Sequence, residues 1–163
     1  MRGFAKIAFT PAVKAVQARL GSRAAYARLE RDAAAPDALG PDEIAFLAER
    51  DSFYIASVGE DGWPYVQHRG GPKGFVRVLD ARTIAFPDFR GNRQYVTLGN
   101  VAGNDRVALI FVDYPNRARL KMLARAKIVT RADERLFELT IEGLDWNCAQ
   151  HITPRYTLDE LGA

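Results

Sequence analysis

Short apolar, β-branched and aromatic segments separated by turn sequences begin at Phe53, and they predict strands. FYIASV and WPYVQHR flank the turn GEDG and predict an antiparallel hairpin, in which Tyr65, Gln67 and Arg69 share one face. FVRVLD and TIAF predict two further strands, and Pro87 ends the second. ALIFVDY and RLKMLARAKIVT predict a buried strand and a long one. The pattern therefore predicts about six strands.

Helical patterns flank and interrupt these strands. Thr10 and Pro11 form an N-cap and first-turn pair, which predicts a helix that continues to residue 31. A short helix is predicted over 42–50, where two acidic residues suit a helix N-terminus, and another over 93–104. A final helix is predicted over 133–143, opened by two acidic residues and closed by a glycine.

This order of elements predicts a mainly β chain with flanking helices (α+β), closed as an antiparallel barrel rather than built from alternating βαβ units. We expect residues 1–40 to form an N-terminal helical extension. Residues 41–163 are expected to form the barrel domain, with a C-terminal helix and tail. A chain of 163 residues is long enough for one well-buried core.

Composition narrows the functional classes. The net charge is only +3, from 23 basic and 20 acidic residues, and this excess does not by itself argue for nucleic acid. Five basic residues lie in the first predicted helix, namely Lys14, Arg19, Arg23, Arg28 and Arg31, and we interpret them as a solvated helix face. The alternative is a phosphate-seeking surface that binds nucleic acid or acidic lipid. The single cysteine and the lack of a signal-type or membrane-spanning apolar run predict a soluble, cytoplasmic protein.

Gly91-Asn92-Arg93 is the most informative local feature, because it follows a strand and precedes a helix. Asn92 is a candidate N-cap, the free N–H groups of the helix would point outward, and Arg93 adds a permanently charged fork. This arrangement predicts a phosphate-binding turn. The alternative is an ordinary capped helix with a surface arginine.

The strand WPYVQHRGG offers a second candidate site. Gln67 and Arg69 on one face can donate hydrogen bonds to a polar heterocycle or a phosphate, and Gly70 and Gly71 permit close approach of a ligand to the backbone. His68 falls on the opposite face, where a packed or interfacial role is expected.

Metal binding is not indicated, since Cys148 and His151 have Cys-x-x-His spacing but His68 is the only other histidine and no second cysteine exists. The same pair lacks an orienting third group for nucleophilic catalysis.

Several motifs in order resemble the FMN-binding split barrel of the pyridoxamine 5′-phosphate oxidase-like family, over roughly half the chain. They are PYVQHRGG, AFPDFRGNR with TLGN in the following helix, and VALIFVDY. The tail NCAQHITPRYTLDE is similar to the end of a flavin-nucleotide-binding subgroup, with Ala149 in place of a proline.

The resemblance implies a six-stranded antiparallel split β-barrel that forms a homodimer, with FMN in a groove between the two barrels. By position it also implies three groups of FMN-binding residues: the strand residues Gln67, His68 and Arg69, the strand-end residues Phe86, Pro87 and Asp88, and the phosphate-turn residues Asn92 and Arg93.

Two departures from the family pattern bear on function. The oxidase has Arg-Lys at its phosphate turn, whereas Arg93 is followed by Gln94, so that a second cation has to come from Arg69, Lys121 or the partner subunit. The Arg-x-His element that holds the substrate phosphate is not reproduced in the tail, where His151 and Arg155 are candidates to cap the flavin site.

The resemblance thus implies a flavin-dependent oxidoreductase, an oxidase or reductase of a small molecule, without naming a catalytic residue. The expected partners are a second copy and a small-molecule substrate, with neither nucleic acid nor membrane. The alternatives are a non-catalytic flavin carrier, sensor or stress-related protein, or a split barrel that binds deazaflavin or haem.

Overall fold

The computed structural model describes residues 2–31, 35–146 and 149–162. The helices are α1 (Arg2–Ala8), α2 (Pro11–Arg19), α3 (Arg23–Arg31), α4 (Pro41–Ala48) and α5 (Val96–Gly103), and a short 3₁₀ helix spans Asp159–Leu161. The strands are β1 (Ser52–Val58), β2 (Pro64–Gly70), β3 (Arg77–Asp80), β4 (Thr83–Pro87), β5 (Arg106–Asp113), β6 (Ala118–Arg131) and β7 (Glu134–Trp146). None of the helices in these ranges has the length and apolarity to cross a membrane.

The strands form one sheet in the order β2-β1-β5-β6-β7-β4-β3, and all neighbours are antiparallel. The six strands predicted from sequence are present. The sheet has a seventh strand, β7, between β6 and β4.

β7 replaces the C-terminal helix predicted over 133–143, and that prediction was wrong. Ala132 and Asp133 both have positive φ angles, 46° and 66°, and form the tight turn of a β6–β7 hairpin without any glycine. Beyond this turn Phe137, Leu139 and Ile141 alternate into the core. Pairing with β6 and β4 on either side thus overrides the helical signal of the sequence.

The inner faces of the sheet wrap around an aromatic core. Phe53 of β1 lies 4.9 Å from the ring of Phe86 on β4 and 4.8 Å from that of Phe111 on β5. Phe86 in turn stacks on Phe137 at 5.1 Å. These contacts bring β1, near one edge of the sheet, against β4, near the other, so that the sheet curls into a barrel around a single core.

Three helices precede the barrel segment. Thr10 caps α2 as predicted, since its hydroxyl accepts a hydrogen bond from the Val13 N–H at 3.3 Å. The predicted helix over 11–31 is divided into α2 and α3 at Gly21, whose φ of 79° ends α2. α1 was not predicted. It packs on β7, where a Cβ on Gly143 would lie 2.6 Å from the Phe4 Cα.

Asp37 joins these helices to the barrel. Its carboxylate accepts hydrogen bonds from the N–H groups of Gly3, Phe4 and Leu144 at 2.9–3.0 Å. Burial acts to raise the pKa of Asp37, but these backbone hydrogen bonds outweigh it and hold the pKa below its ordinary value. One ionised side chain therefore fastens the start of α1 and the end of β7 to the same point.

Candidate functional site

A cavity of about 380 Å³ opens where the barrel closes. Its wall comes from β2, the end of β4, the loop 88–95, the start of α5 and the start of β7. This volume falls in the range of small-molecule sites. The lining residues that bear on function are Tyr65, Gln67, His68, Arg69, Pro87, Asp88, Arg90, Asn92, Arg93, Tyr95, Thr97 and Arg135.

β2 contributes one face to this wall. Tyr65, Gln67 and Arg69 are partly buried and alternate with exposed residues, which confirms the predicted shared face. The Thr97 hydroxyl of α5 donates a hydrogen bond to Gln67 Oε1 at 2.7 Å. Because this contact uses the amide oxygen, Gln67 Nε2 keeps its two donor hydrogens for another partner.

Asp88 closes the barrel by pairing with two arginines from different strands. Its carboxylate accepts from Arg69 Nη1 of β2 at 3.0 Å and from Arg135 Nε of β7 at 2.7 Å. The Arg69 guanidinium also lies over the Phe137 ring at 5.0 Å, and hydrogen bonding to Asp88 raises the pKa of Arg135 above its ordinary value. Arg69 is thus committed to a largely buried ion pair, with 14% of its side chain exposed.

The loop between β4 and α5 differs from the predicted phosphate turn in one respect. Asn92 is not the N-cap of α5, because the helix begins four residues later, after Tyr95. The Asn92 side chain instead accepts from the Gln94 N–H at 3.1 Å in a local turn. Arg93 and Tyr95 have φ angles of 63° and 55°, an uncommon conformation for residues other than glycine. The free N–H groups of α5 belong to Val96–Leu98, at the cavity wall.

Two arginines of this loop, Arg90 and Arg93, line the cavity with exposed side chains. Within the described ranges neither has a carboxylate partner, in contrast to Arg69 and Arg135. Sequence reasoning found Arg93 and missed Arg90. The sequence feature that could have identified Arg90 is its position three residues before Arg93 in FRGNR, because this spacing lets both cations line one cavity.

The alternative sources of a second cation fit the structure poorly. Lys121 pairs with Asp145 at 3.0 Å, lies over the Phe4 ring at 5.0 Å and is not among the residues of the cavity wall. Arg69 is neutralised by Asp88. Arg90 is therefore the second loop cation at the cavity, which the sequence analysis did not identify.

The remaining candidate residues are divided between the cavity and other places. Pro87 and Asp88 line the cavity, whereas Phe86 has no accessible surface and supports the strand from the core. His68 reaches the cavity from the opposite face of β2, where its ring meets Tyr54 edge-on at 5.4 Å.

The C-terminal candidates do not line the cavity. Arg155 lies over the Tyr114 ring at 5.0 Å, and His151 is exposed with a φ of 62°. Cys148 lies outside the described residues. Within the described ranges no group of three or more metal-ligating side chains is found.

Comparisons with known proteins agree with this architecture. The chain is similar in structure to HupZ from Group A Streptococcus, with 16% identity, a TM-score of 0.55 and coverage of 72% of this chain and 100% of that one. A putative pyridoxamine 5′-phosphate oxidase from Lactobacillus delbrueckii gives 20% identity, a TM-score of 0.52 and coverage of 66% and 93%. A Clostridium acetobutylicum protein related to general stress protein 26 of B. subtilis gives 14% identity and a TM-score of 0.51, with coverage of 74% of this chain and 94% of that one.

At these identities the structural likeness establishes the fold. The sequence has no match among curated proteins. The family model of pyridoxamine 5′-phosphate oxidase matches residues 41–144, which include the strands β1–β6, the cavity and most of β7. The chain therefore belongs to the pyridoxamine 5′-phosphate oxidase family.

Proposed function

We propose that this protein binds FMN in the cavity and acts as a flavin-dependent oxidoreductase on a small molecule. The observation that carries the proposal is that Arg90 and Arg93, which have no carboxylate partner among the described residues, line a cavity in a barrel of this family. With Arg69, Arg135 and Asp88 the lining carries a formal charge of about +3, which favours an anionic ligand.

The phosphate end of FMN fits the loop and the start of α5. A terminal phosphate monoester is close to a dianion at neutral pH. Arg90 and Arg93 supply two cations, and the N–H groups of Val96, Thr97 and Leu98 are not used by the first helical hydrogen bond, which runs from Gly99 to Tyr95. Two arginines and a helix N-terminus suit a dianion, and this favours FMN among the flavins.

The ring end fits the β2 side. Gln67 has free amide donors, and Gln67 and Tyr65 share the partly buried face of the strand beside Pro87. A polar heterocycle with carbonyl oxygens along one edge matches these donors. FMN, when bound, supplies the hydride or electron transfer, while the protein orients the ring and sets the charge around it.

We also propose that the protein is a homodimer, with the outer face of β1, β2 and β5 as the interface. Tyr54 and Val66 expose 40% and 61% of their surface there, beside Ala56, Ala108 and Ile110. His68 belongs to this face and also lines the cavity, so a second copy seated here lies next to the ligand.

FMN titration tests the cofactor proposal. Quenching of flavin fluorescence at about one FMN per chain supports it. Arg93→Ala should weaken FMN binding by about 1.5–3 kcal/mol, the range for a hydrogen bond to a charged group. Arg28→Ala is the control, because it removes one cation from α3, which contributes no residue to the cavity wall. This variant should bind FMN with the affinity of the wild type. Riboflavin lacks the phosphate, so its affinity should be the same for the wild type, Arg93→Ala and Arg28→Ala.

The outcome of the titration decides among the alternatives. Failure to bind FMN with tight binding of deazaflavin or haem would replace the cofactor assignment. Stoichiometric FMN without turnover of reduced nicotinamide or of an oxidisable small molecule would favour a flavin carrier, sensor or stress-related binder.

The dimer proposal is tested separately by light scattering. Val66→Arg introduces a charge at the centre of the proposed interface and should convert a mass of two chains into that of one. A wild-type protein with the mass of a single chain would refute the interface.

A further inference from the structure

The positive charge of the chain is concentrated in its first three helices. Residues 1–31 contain seven lysine and arginine residues and one glutamate, giving +6. Since the whole chain carries +3, the other 132 residues carry −3. The small overall charge of the chain thus hides a strongly basic helical segment at residues 1–31.

The single acidic side chain of this segment is used inside it. Glu30 of α3 forms an ion pair with Arg23 of the same helix and a second one with Lys14, which joins α3 to α2. Lys6, Arg19 and Arg28 are exposed and have no carboxylate partner in the described parts of the chain. These three cations are available to an external anion.

The same helices expose aliphatic side chains. α2 has no buried residue, although Val13, Val16 and Leu20 recur at helical spacing on one face. They expose 38%, 44% and 73% of their surface, respectively. A nine-residue helix with no buried side chain gains little from packing, so this stripe is available to an external partner.

We propose that α1–α3 dock this protein on an anionic lipid surface. Val13, Val16 and Leu20 enter the boundary between headgroups and acyl chains, while Lys6, Arg19 and Arg28 meet the acidic headgroups. Nucleic acid is a poorer partner for these helices, because branched aliphatic side chains offer nothing to its phosphate backbone. A second copy of the helices is also a poorer partner, because two segments that each carry +6 repel each other. Because residues 1–31 carry +6 whereas the other 132 residues together carry −3, the protein docks with the helices toward the lipid.

This docking leaves the cavity open, because none of its lining residues comes from residues 2–31. Lipid docking and flavin binding are therefore separate properties, and each can be measured without the other. The inference does not depend on the proposed cofactor.

Vesicle co-sedimentation with the full chain tests the proposal. Vesicles of phosphatidylcholine with one third phosphatidylserine should bind the protein, vesicles of phosphatidylcholine alone should not, and high salt should reverse the binding. Arg19→Glu combined with Arg28→Glu should weaken binding by at least about 25-fold, because each surface cation contributes roughly fivefold. Lys73→Glu with Arg106→Glu, the same charge change on the barrel, is the matched control and should leave binding within about twofold.

A second pair, Val16→Ser with Leu20→Ser, tests the apolar stripe and should reduce binding while the circular dichroism of the helices is retained. The proposal is overturned if the protein binds neutral vesicles equally well, if it binds no vesicles, or if the barrel control loses as much affinity as the helix variant. Tighter binding to a 20-base-pair DNA duplex than to the vesicles would also overturn it and assign the helices to nucleic acid.

Discussion

Asp88→Asn removes the negative charge that joins β2 to β7 while keeping the size of the side chain. In the native protein Asp88 receives hydrogen bonds from Arg69 and Arg135, and only 8% of its side chain is exposed. The amide can accept one of these bonds but presents an NH₂ group to the other guanidinium. We expect the variant to be less stable.

The magnitude is set mainly by Arg69. Its guanidinium lies between Asp88 and the Phe137 ring with 14% exposure, so it keeps a poorly solvated charge when its partner is neutralised. Loss of a charge-assisted hydrogen bond in such a site costs about 2–3 kcal/mol. Arg135 is 41% exposed, and solvent screens its share of the interaction.

Urea unfolding followed by tryptophan fluorescence measures this change, because Trp146 packs on Phe46 at 4.8 Å and reports the loss of that contact. Glu134→Gln is the control. It neutralises a carboxylate paired with Arg77 at 3.2 Å, but both side chains are at least 40% exposed. That pair is expected to contribute about 0–1 kcal/mol. If the two variants lose the same stability, the role assigned to Asp88 in closing the barrel is refuted.

Three further changes test the packing and the electrostatics. Gly143→Ala should destabilise the protein by about 1–3 kcal/mol because its Cβ meets the Phe4 backbone. Gly99→Ala, which meets open space in α5, should stabilise it by about 0.5–1 kcal/mol; equal effects in urea unfolding would contradict the packing of α1. Phe86→Ala should cost about 3–5 kcal/mol, and a loss below 1 kcal/mol would place Phe86 outside the core. The pKa of Asp37 is lowered in the native state, so its stabilisation is complete above the unfolded pKa of about 3.9 and is lost as the pH falls through the lower native value. Asp37→Asn should flatten the acid side of the stability profile, and a profile as steep as that of the wild type would exclude Asp37 as its source.

Local patterns predicted the elements whose signals are contained in a few neighbouring residues. Alternation in PYVQHRG was sufficient for β2 and for the shared face of Gln67 and Arg69, and Thr10-Pro11 was sufficient for the start of α2. β7 was missed because its turn uses Ala132 and Asp133 in the left-handed conformation, and the sequence carries no glycine to mark it.

The residues of the site were predicted in outline, but the ion pairs among its charged side chains could not be predicted. Whether Arg69 is free or neutralised depends on where Asp88 and Arg135 lie, and these residues come from three elements that meet only when the barrel closes. The start of α5 was misplaced for a local reason, since Asn92 uses its side chain in its own turn. Arg90 was overlooked because its spacing to Arg93 in FRGNR was the one available signal, and a sequence does not show whether an arginine is paired with a carboxylate.

The carboxylate of Asp37 limits how far the chain can be truncated from its N-terminus without loss of stability. The match to the family begins at residue 41, and Asp37 precedes that boundary. Its carboxylate accepts hydrogen bonds from N–H groups at the start of α1 and from the Leu144 N–H of β7. A chain trimmed to residue 41 loses this acceptor and uncovers the side-chain-free surface at Gly143 on which Phe4 rests. The boundary of similarity is therefore not a boundary of folding, and we expect α1 and β7 to exchange their amide hydrogens as one cooperative unit.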